Sequence, residues 1–338
     1  MIAMQRDSVA AAEAAMKYFI LGALASGLLL YGMSLLYGLT GSLSLDQISD
    51  ATLTHIASSS LPLTLAVVMV IAGVLFKLGA VPFQMWVPAV YEGSATSTTL
   101  YLSAVPKLAA FAILLRLLVS GLGGWLEIWQ DIILVAAVLS IGLGNIIAIA
   151  QSNIKRMFAY STISHMGFLL LGFSTAEELG LSAAMMYTLI YMFTTLVAFG
   201  VVLALSRPGF ECDQLDDLRG LNRRNPLLAL MMLVAMFSLA GIPPTAGFFA
   251  KLFVLEAALE AGFIEIVVVA VLFAVVGAFY YLRIVKLMYF DDSSPHLLSA
   301  SSYGYRPVVG WALGVNALLL VLMIPWVGSI FNWLVASL

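Results

Sequence analysis

Residues 74–107, VLFKLGAVPFQMWVPAVYEGSATSTTLYLSAVPK, decide the fold of this chain. Lys77 and Lys107 lie in apolar surroundings that resemble membrane helices, and a proline stands close to each lysine. A lysine at the bilayer centre costs roughly 3 kcal/mol on insertion scales, and a proline inside a helix frees a carbonyl and bends the helix. Lipid does not tolerate such a backbone, but a buried polar axis does. The stretch therefore predicts a helix broken near Pro82 that lines an ion path, as in transporters.

A similar arrangement follows at residues 241–251, GIPPTAGFFAK, where Lys251 again lies near prolines. Around each lysine the sequence predicts a long helix, a proline-broken helix and a further helix. The two sets are five predicted helices apart, so they would cross the membrane in opposite directions. This is the inverted-repeat pattern of many transporters.

The composition indicates an all-α polytopic membrane protein. Of the 338 residues, 62% are hydrophobic and only 10% are charged, whereas soluble domains carry about 25% charged residues. With about 20 apolar residues for each crossing, we predict nine transmembrane helices, the second and seventh broken by proline. The predicted spans are 12–37, 61–90, 97–120, 128–150, 154–173, 181–205, 226–259, 262–289 and 307–334.

Several function classes find no support in the sequence. The single cysteine, Cys212, excludes an internal disulfide and any cysteine-based zinc or iron–sulfur site. The three histidines His55, His165 and His296 lie too far apart in sequence to suggest a metal cluster. There is no glycine-rich phosphate loop and no indication of a nucleic-acid partner, so the lipid bilayer is the partner that composition predicts.

The positions of lysine and arginine predict the orientation of the chain. Basic residues cluster on alternate predicted loops, and acidic residues occupy the loops between them. The basic markers are Arg6, Lys17, Lys155, Arg156, Arg207, Arg219, Arg223, Arg224, Arg283, Lys286 and Arg306. This pattern places the amino terminus in the cytoplasm and the carboxyl terminus outside.

The repeat pattern divides the chain into three parts. Residues 1–121 form the remainder of a first repeat, with three helices, and residues 122–290 form a complete second repeat of five helices. Residues 291–338 form a loop and a last helix. Because the first repeat lacks two helices at its start, we expect the chain to begin inside a longer protein.

Lys77, Lys107 and Lys251 are the candidates for chemistry, because most other basic residues mark helix ends. Snorkelling to the membrane surface is the alternative explanation, but Lys107 lies about ten residues from either end of its predicted helix. Burial favours the neutral form of a lysine, and a nearby charge changes that balance. A lysine that alternates between the two forms can carry a proton.

His165 and Lys17 are the two further candidates. His165 lies midway along its predicted helix beside Ser161 and Ser164, and it is either a satisfied core residue or a member of a proton relay. Lys17 is one turn from Glu13, so it forms an i,i+4 ion pair or modulates Lys77. No aspartate or glutamate lies at the centre of a predicted span, although a lysine relay usually needs a carboxylate partner.

Four motifs resemble the antiporter-like membrane subunits of respiratory complex I. They are RDSVAAAEAAMKYFILGALASGLLLYG (6–32), FKLGAVPFQMWVPAVYEG (76–93), NIKRMFAYSTISHMGFLLLGF (153–173) and GIPPTAGFFAKLFV (241–254). The resemblance covers essentially the whole chain. The third motif also occurs in subunits of multi-subunit cation/proton antiporters.

The resemblance implies an antiporter-like bundle of two inverted repeats, the first incomplete, that forms a proton channel. In it, Lys77 would be the relay lysine of the first repeat, Lys107 would link the two half-channels, and Lys251 would serve the second repeat. The chain would be a proton-translocating subunit of NADH:quinone oxidoreductase in a bacterial inner membrane. It would bind no cofactor and no metal itself. NADH, FMN, iron–sulfur clusters and quinone would belong to partner subunits, and its direct partners would be other membrane subunits of the complex.

The sequence departs from the family at two positions in the first broken helix. Gln84 stands where the family usually has histidine, and Ala89 stands where it usually has aspartate. The family's acidic partner of the first lysine lies upstream of residue 1. Because glutamine cannot take up a proton as histidine can, a proton path through this half-helix would need water.

Two other functions stay open at the level of the sequence. The chain could belong to a cation/proton antiporter without a redox partner. It could instead be a membrane scaffold whose lysines bind neighbouring helices or lipid, and lysine-to-methionine changes would then disturb assembly rather than transport.

Overall fold

The computed structural model describes residues 1–5, 7–54, 61–207, 210–292 and 307–338. Within these ranges the chain is helical, with two isolated β-bridges and no longer strand. The helices are α1 (Val9–Thr40), α2 (Leu45–Thr54), α3 (Leu61–Leu78), α4 (Trp86–Gly93), α5 (Thr96–Leu114), α6 (Leu126–Ile149), α7 (Ile154–Ser174), α8 (Glu178–Leu205), α9 (Leu221–Arg224), α10 (Pro226–Ala240), α11 (Ala246–Glu260), α12 (Ile264–Tyr289), α13 (Pro307–Leu322) and α14 (Val327–Val335).

The all-α membrane fold is confirmed, and most predicted spans correspond to helices. Six helices of the described ranges are long and apolar enough to cross a membrane, or up to seven if α13 and α14 form one bent span. The count of nine crossings stays a prediction. His55, His296, Arg6 and Arg306 lie outside the described residues, as does most of the loop predicted after residue 290.

Three local features differ from the prediction. The connection predicted after the first span contains the helix α2. The third span ends in a π-helical turn, Leu115–Gly121, which carries the exposed Arg116 on the side that the charge pattern assigns to acidic loops. The last span is bent by 48° between α13 and α14, and Pro325 lies in the short 3₁₀ turn between them. A proline has no N–H for the helix ladder, so it explains the bend.

Two helix interruptions have the same backbone geometry. Helix α3 ends before Gly79 and α10 ends before Gly241, and both glycines are left-handed, with φ of 77° and 79°. In each case the N–H of the residue after the glycine donates to the carbonyl five residues earlier, at 3.0 Å for Ala80 and 2.9 Å for Ile242. This is the Schellman ending, which favours glycine because it needs a positive φ. A cis X–Pro bond follows at the same spacing in both, at Val81–Pro82 and Pro243–Pro244.

Helix α7 lies at the centre of the molecule. Nearly all of its side chains are buried, and it packs against α4, α6, α8 and α11. Its contact with α6 is close because both helices present glycine there. A Cβ on Gly144 would lie 2.6 Å from the Ser164 nitrogen, and one on Gly167 would lie 2.7 Å from the Ala137 oxygen. Small residues allow this backbone approach in membrane helices.

Candidate functional site

Lys107 binds the end of the first interrupted helix. Its side chain is only 1% exposed, and its Nζ donates to the Leu78 carbonyl oxygen at 2.6 Å and to that of Lys77 at 3.5 Å. It also lies 5.1 Å from the centre of the Trp86 ring. The last carbonyls of a helix have no N–H partner within the helix, and this end carries partial negative charge. The lysine therefore supplies the missing donors at the interruption.

Lys251 binds the second interrupted helix in the same register. Its Nζ donates to the carbonyl oxygens of Leu239 and Ala240, both at 2.9 Å, and it lies 5.3 Å from the Phe168 ring. In both sites the two acceptors are the carbonyl oxygens of the residues one and two positions before the left-handed glycine. The structure thus pairs Lys251 with Lys107. The sequence pattern had paired Lys251 with Lys77 as the lysines of two broken spans, but in backbone register Lys77 occupies the position of Leu239 and contributes a carbonyl acceptor.

Lys77 itself is exposed on the surface of the described chain. The prediction that it is buried among these residues is therefore wrong. Only its backbone carbonyl takes part in the Lys107 site. Lys17 is 49% exposed and forms an ion pair with Glu13 one turn earlier, as the simpler interpretation predicted.

His165 lies between four helices and has a partner on each ring nitrogen. Its Nδ1 is 2.6 Å from the Tyr187 hydroxyl, and its Nε2 is 2.9 Å from the Tyr281 hydroxyl. A third tyrosine, Tyr191, places its ring centre 5.1 Å from the imidazole. The imidazole is 5% exposed. Both ring nitrogens are therefore satisfied, and their partners are hydroxyls that can both give and receive a proton.

A small cavity separates His165 from Lys251. Its volume is about 10 Å³, close to the smallest that holds one water molecule. The cavity is lined by His165, Tyr187, Ile190, Tyr191, Thr194, Ser238, Leu239, Gly247, Ala250 and Lys251. Several polar atoms therefore converge on it, which favours water over an empty apolar void. The structure brings His165 and Lys251 to one cavity, whereas Lys107 binds at the other interruption.

A third buried lysine, Lys155, was missed as a candidate because the sequence treated it as a loop charge. It is 1% exposed and donates to Glu211 Oε2 at 2.8 Å and to the Ser94 carbonyl at 3.0 Å. The neighbouring Arg156 pairs with Glu92 at 2.6 Å. The Arg156–Glu92 pair and the Lys155–Ser94 hydrogen bond connect the end of α4 to the start of α7, and the Lys155–Glu211 pair connects α7 to the segment after α8.

Substitution Lys155→Met is expected to destabilise the protein by about 1–3 kcal/mol, because the Ser94 carbonyl would lose its buried donor. The midpoint of heat-induced dissociation of the purified complex measures the effect. Arg219→Met is the control, since the Arg219–Asp216 pair is exposed and exposed pairs contribute ~0–1 kcal/mol. Equal stability of the two variants would contradict the expectation.

The site brings together lysine, histidine and tyrosine side chains, which are groups that can give and receive protons. No group of three His, Cys, Asp or Glu side chains in the described ranges could hold a metal ion. In the loop outside the spans, burial raises the pKa of the Cys212 thiol, which keeps the thiol protonated and unreactive.

Comparison with known proteins identifies a matching family model and similar proteins that belong to the same family. A family model described as "NADH:quinone oxidoreductase/Mrp antiporter, TM" matches residues 1–277. NADH-quinone oxidoreductase subunit N of Thiobacillus denitrificans is 59% identical over 298 residues, which are 87% of this chain and 62% of that protein. The subunit N of Nitrosomonas europaea is 53% identical over 323 residues, 96% of this chain and 66% of that protein. The chain thus spans less than two thirds of the length of these relatives.

Solved structures share the fold. One chain of the structure of respiratory complex I from Thermus thermophilus with bound Aureothin superposes on this chain with a TM-score of 0.80 and is 33% identical to it in sequence. The match covers 96% of this chain and 69% of the Thermus chain. One chain of the Mrp complex from Dietzia sp. DQ12-45-1b superposes with a TM-score of 0.83 and is 25% identical in sequence. That match covers 98% of this chain and 69% of the Dietzia chain.

Proposed function

The chain belongs to the NADH:quinone oxidoreductase/Mrp antiporter transmembrane family, and from that premise we propose that it is a proton-translocating membrane subunit of an NADH:quinone oxidoreductase. One observation supports this most directly. Two lysines, Lys107 and Lys251, bind the carbonyl ends of two interrupted helices in the same register. Interrupted helices with a cation at the break are the ion sites of transporters.

In this proposal the proton moves along Lys77, Lys107, His165 and Lys251. Each buried lysine has two carbonyl acceptors, which stabilise the charged form, and little exposure to water, which favours the neutral form. The balance between these opposing effects lets a nearby charge decide which form prevails. Lys17 modulates Lys77 from α1, which packs against α3. Residues 1–121, 122–290 and 291–338 are the incomplete repeat, the complete repeat and the carboxyl-terminal segment.

The enzyme activity belongs to the assembly. This chain binds no redox group, and NADH, FMN, iron–sulfur clusters and quinone are held by partner subunits. Its partners are other membrane subunits of the complex in a bacterial inner membrane, with the amino terminus of the chain in the cytoplasm. Gln84 presents a buried carbonyl oxygen without a protein partner near the first interruption. Such an acceptor holds water but carries no proton itself.

The cation/proton antiporter is the second candidate, and the similarity to the Mrp complex supports it. The much higher identity to oxidoreductase subunits favours the first candidate. Neighbouring genes discriminate between the two, because dehydrogenase and quinone-site subunits would accompany an oxidoreductase. A scaffold without transport is the third candidate, and the next experiment tests it.

Substitution Lys77→Ala is expected to lower proton transfer through this chain about tenfold or more. This is less than the roughly 100-fold or more of a buried acid–base group, because water can partly replace an exposed lysine. The measurement is NADH-driven acidification of membrane vesicles that contain the complex assembled on the full-length protein. Lys286→Ala is the control, because Lys286 is an exposed lysine in the last turn of α12. Normal pumping by an assembled Lys77→Ala complex would refute the relay, and loss of assembly alone would favour the scaffold.

A further inference from the structure

His165 joins two tyrosines from different helices into one hydrogen-bonded chain. Tyr187 belongs to α8 and Tyr281 belongs to α12, and their hydroxyls bind opposite nitrogens of the ring. A neutral imidazole has one N–H donor and one acceptor nitrogen. One tyrosine hydroxyl must therefore accept from the ring while the other donates to it. The tautomer of His165 sets the direction of the whole chain.

The chain continues beyond the ring at both ends. On one side the Tyr281 hydroxyl is hydrogen-bonded to Ser161 Oγ, which lies about one turn before His165, toward the end of α7 that carries Lys155. On the other side Tyr187 lines the cavity that Lys251 also lines. Ser161, Tyr281, His165 and Tyr187 thus form a continuous series that ends at the cavity of Lys251.

We propose that this series is a proton-transfer branch between Lys251 and the Lys155 end of α7, with Tyr281 and Tyr187 as further proton-transfer residues. The proposal rests on the proposed function. As Ser161 receives a proton, its own proton passes to the Tyr281 oxygen, and the Tyr281 proton passes to Nε2. The Nδ1 proton passes to Tyr187, and the Tyr187 proton passes through water in the cavity to neutral Lys251. Each oxygen and the ring release one proton for each received, so no tyrosinate or imidazolium remains. Hydroxyl rotation and tautomer exchange restore the starting arrangement.

A third tyrosine provides the matched control. Tyr191 contacts the imidazole with its ring and is 3% exposed, like Tyr281 at 2%. Its hydroxyl, however, donates to Thr162 Oγ1 at 2.8 Å and not to His165. Removing the Tyr191 hydroxyl therefore perturbs the surroundings of His165, but it leaves the hydrogen-bonded chain intact.

The test compares Tyr281→Phe with Tyr191→Phe in the assembled complex in membrane vesicles. We expect Tyr281→Phe to slow proton transfer through this chain about tenfold or more, and Tyr191→Phe, whose hydroxyl lies outside the hydrogen-bonded chain, to slow it much less. A larger deuterium solvent isotope effect on pumping in Tyr281→Phe is also expected, and a residue that only positions the ring would not change it. Equal pumping by the two variants, at any level, overturns the proposal.

A second pair of variants tests the proposal even if the complex with Tyr281→Phe does not assemble. Ser161→Ala and Ser164→Ala each remove one buried hydroxyl from α7, and only Ser161 belongs to the branch, because Ser164 accepts from Asn145. Slower pumping in Ser161→Ala alone supports the branch, and identical pumping overturns it. Lys77→Ala in the same vesicles separates the two proposals. If Lys77→Ala blocks pumping and the tyrosine and serine variants do not, the branch fails and the proposed function stands.

Discussion

Substitution Lys107→Met is expected to slow proton transfer through this chain by roughly 100-fold or more, the effect of removing an acid–base group from a relay. Methionine has a similar length and packs well in an apolar site, so the ring of Trp86 keeps a neighbour. The substitution removes a buried ammonium group at the first interruption, where Lys77 is exposed among the described residues.

Lys107→Arg separates the two roles of this lysine. A guanidinium keeps its charge at any accessible pH and donates to carbonyls, so it can still bind the Leu78 oxygen. It cannot become neutral and therefore cannot pass on a proton. We expect Lys107→Arg to assemble better than Lys107→Met and to pump equally poorly.

The measurement is the proton-to-NADH ratio of vesicles, normalised to the complex that is assembled on a native gel. Lys107→Met also leaves the Leu78 carbonyl without its donor, at a cost of about 1–3 kcal/mol, so a lower yield of complex is expected and the normalisation is needed. An assembled Lys107→Met complex that pumps like the wild type would rule out a relay through this lysine.

The sequence predicted the burial of Lys107 and Lys251 correctly because the reasoning needed only local information. Each lysine lies in a long apolar stretch near a proline or glycine. A lysine exposed to lipid there would cost free energy, so burial at an internal polar site was expected. The same reasoning failed for Lys77. Helix α3 is apolar on every face, and an all-apolar helix gives no sign of which face its neighbours cover.

The partners of His165 could not be predicted from a single sequence. Tyr187 and Tyr281 lie 22 and 116 residues away along the chain, and helical periodicity shows which residues share a face but not which helices meet. The polar stripe on α7 was the available signal, and it correctly identified Ser161 as a polar neighbour. Lys155 was missed for a related reason, because its burial depends on the distant Glu211 and Ser94.

Substitution Gly247→Ala is expected to prevent stable assembly or to displace Lys251. Gly247 lies in the first turn of α11, where that helix touches the end of α10. An added Cβ would lie 1.9 Å from the Ser238 carbonyl oxygen and 2.6 Å from its carbon, so one methyl group requires the two backbones to separate. Overpacking of a rigid contact costs about 1–3 kcal/mol and sometimes more. The amount of assembled complex and its thermal stability measure the effect.

Gly142→Ala is the control, since its added Cβ would meet only the Phe273 ring, at an ordinary 3.6 Å. The contrast matters because α11 carries Lys251 and α10 supplies both of its acceptors. A separation of these two helices therefore moves the Lys251 ammonium away from the Leu239 and Ala240 oxygens. The same separation also lowers the stability of the protein. If Gly247→Ala assembles but does not pump, the position of Lys251 at the interruption is itself required for transfer. If Gly247→Ala assembles and pumps like Gly142→Ala, the close approach of α10 and α11 is not what holds Lys251 in place.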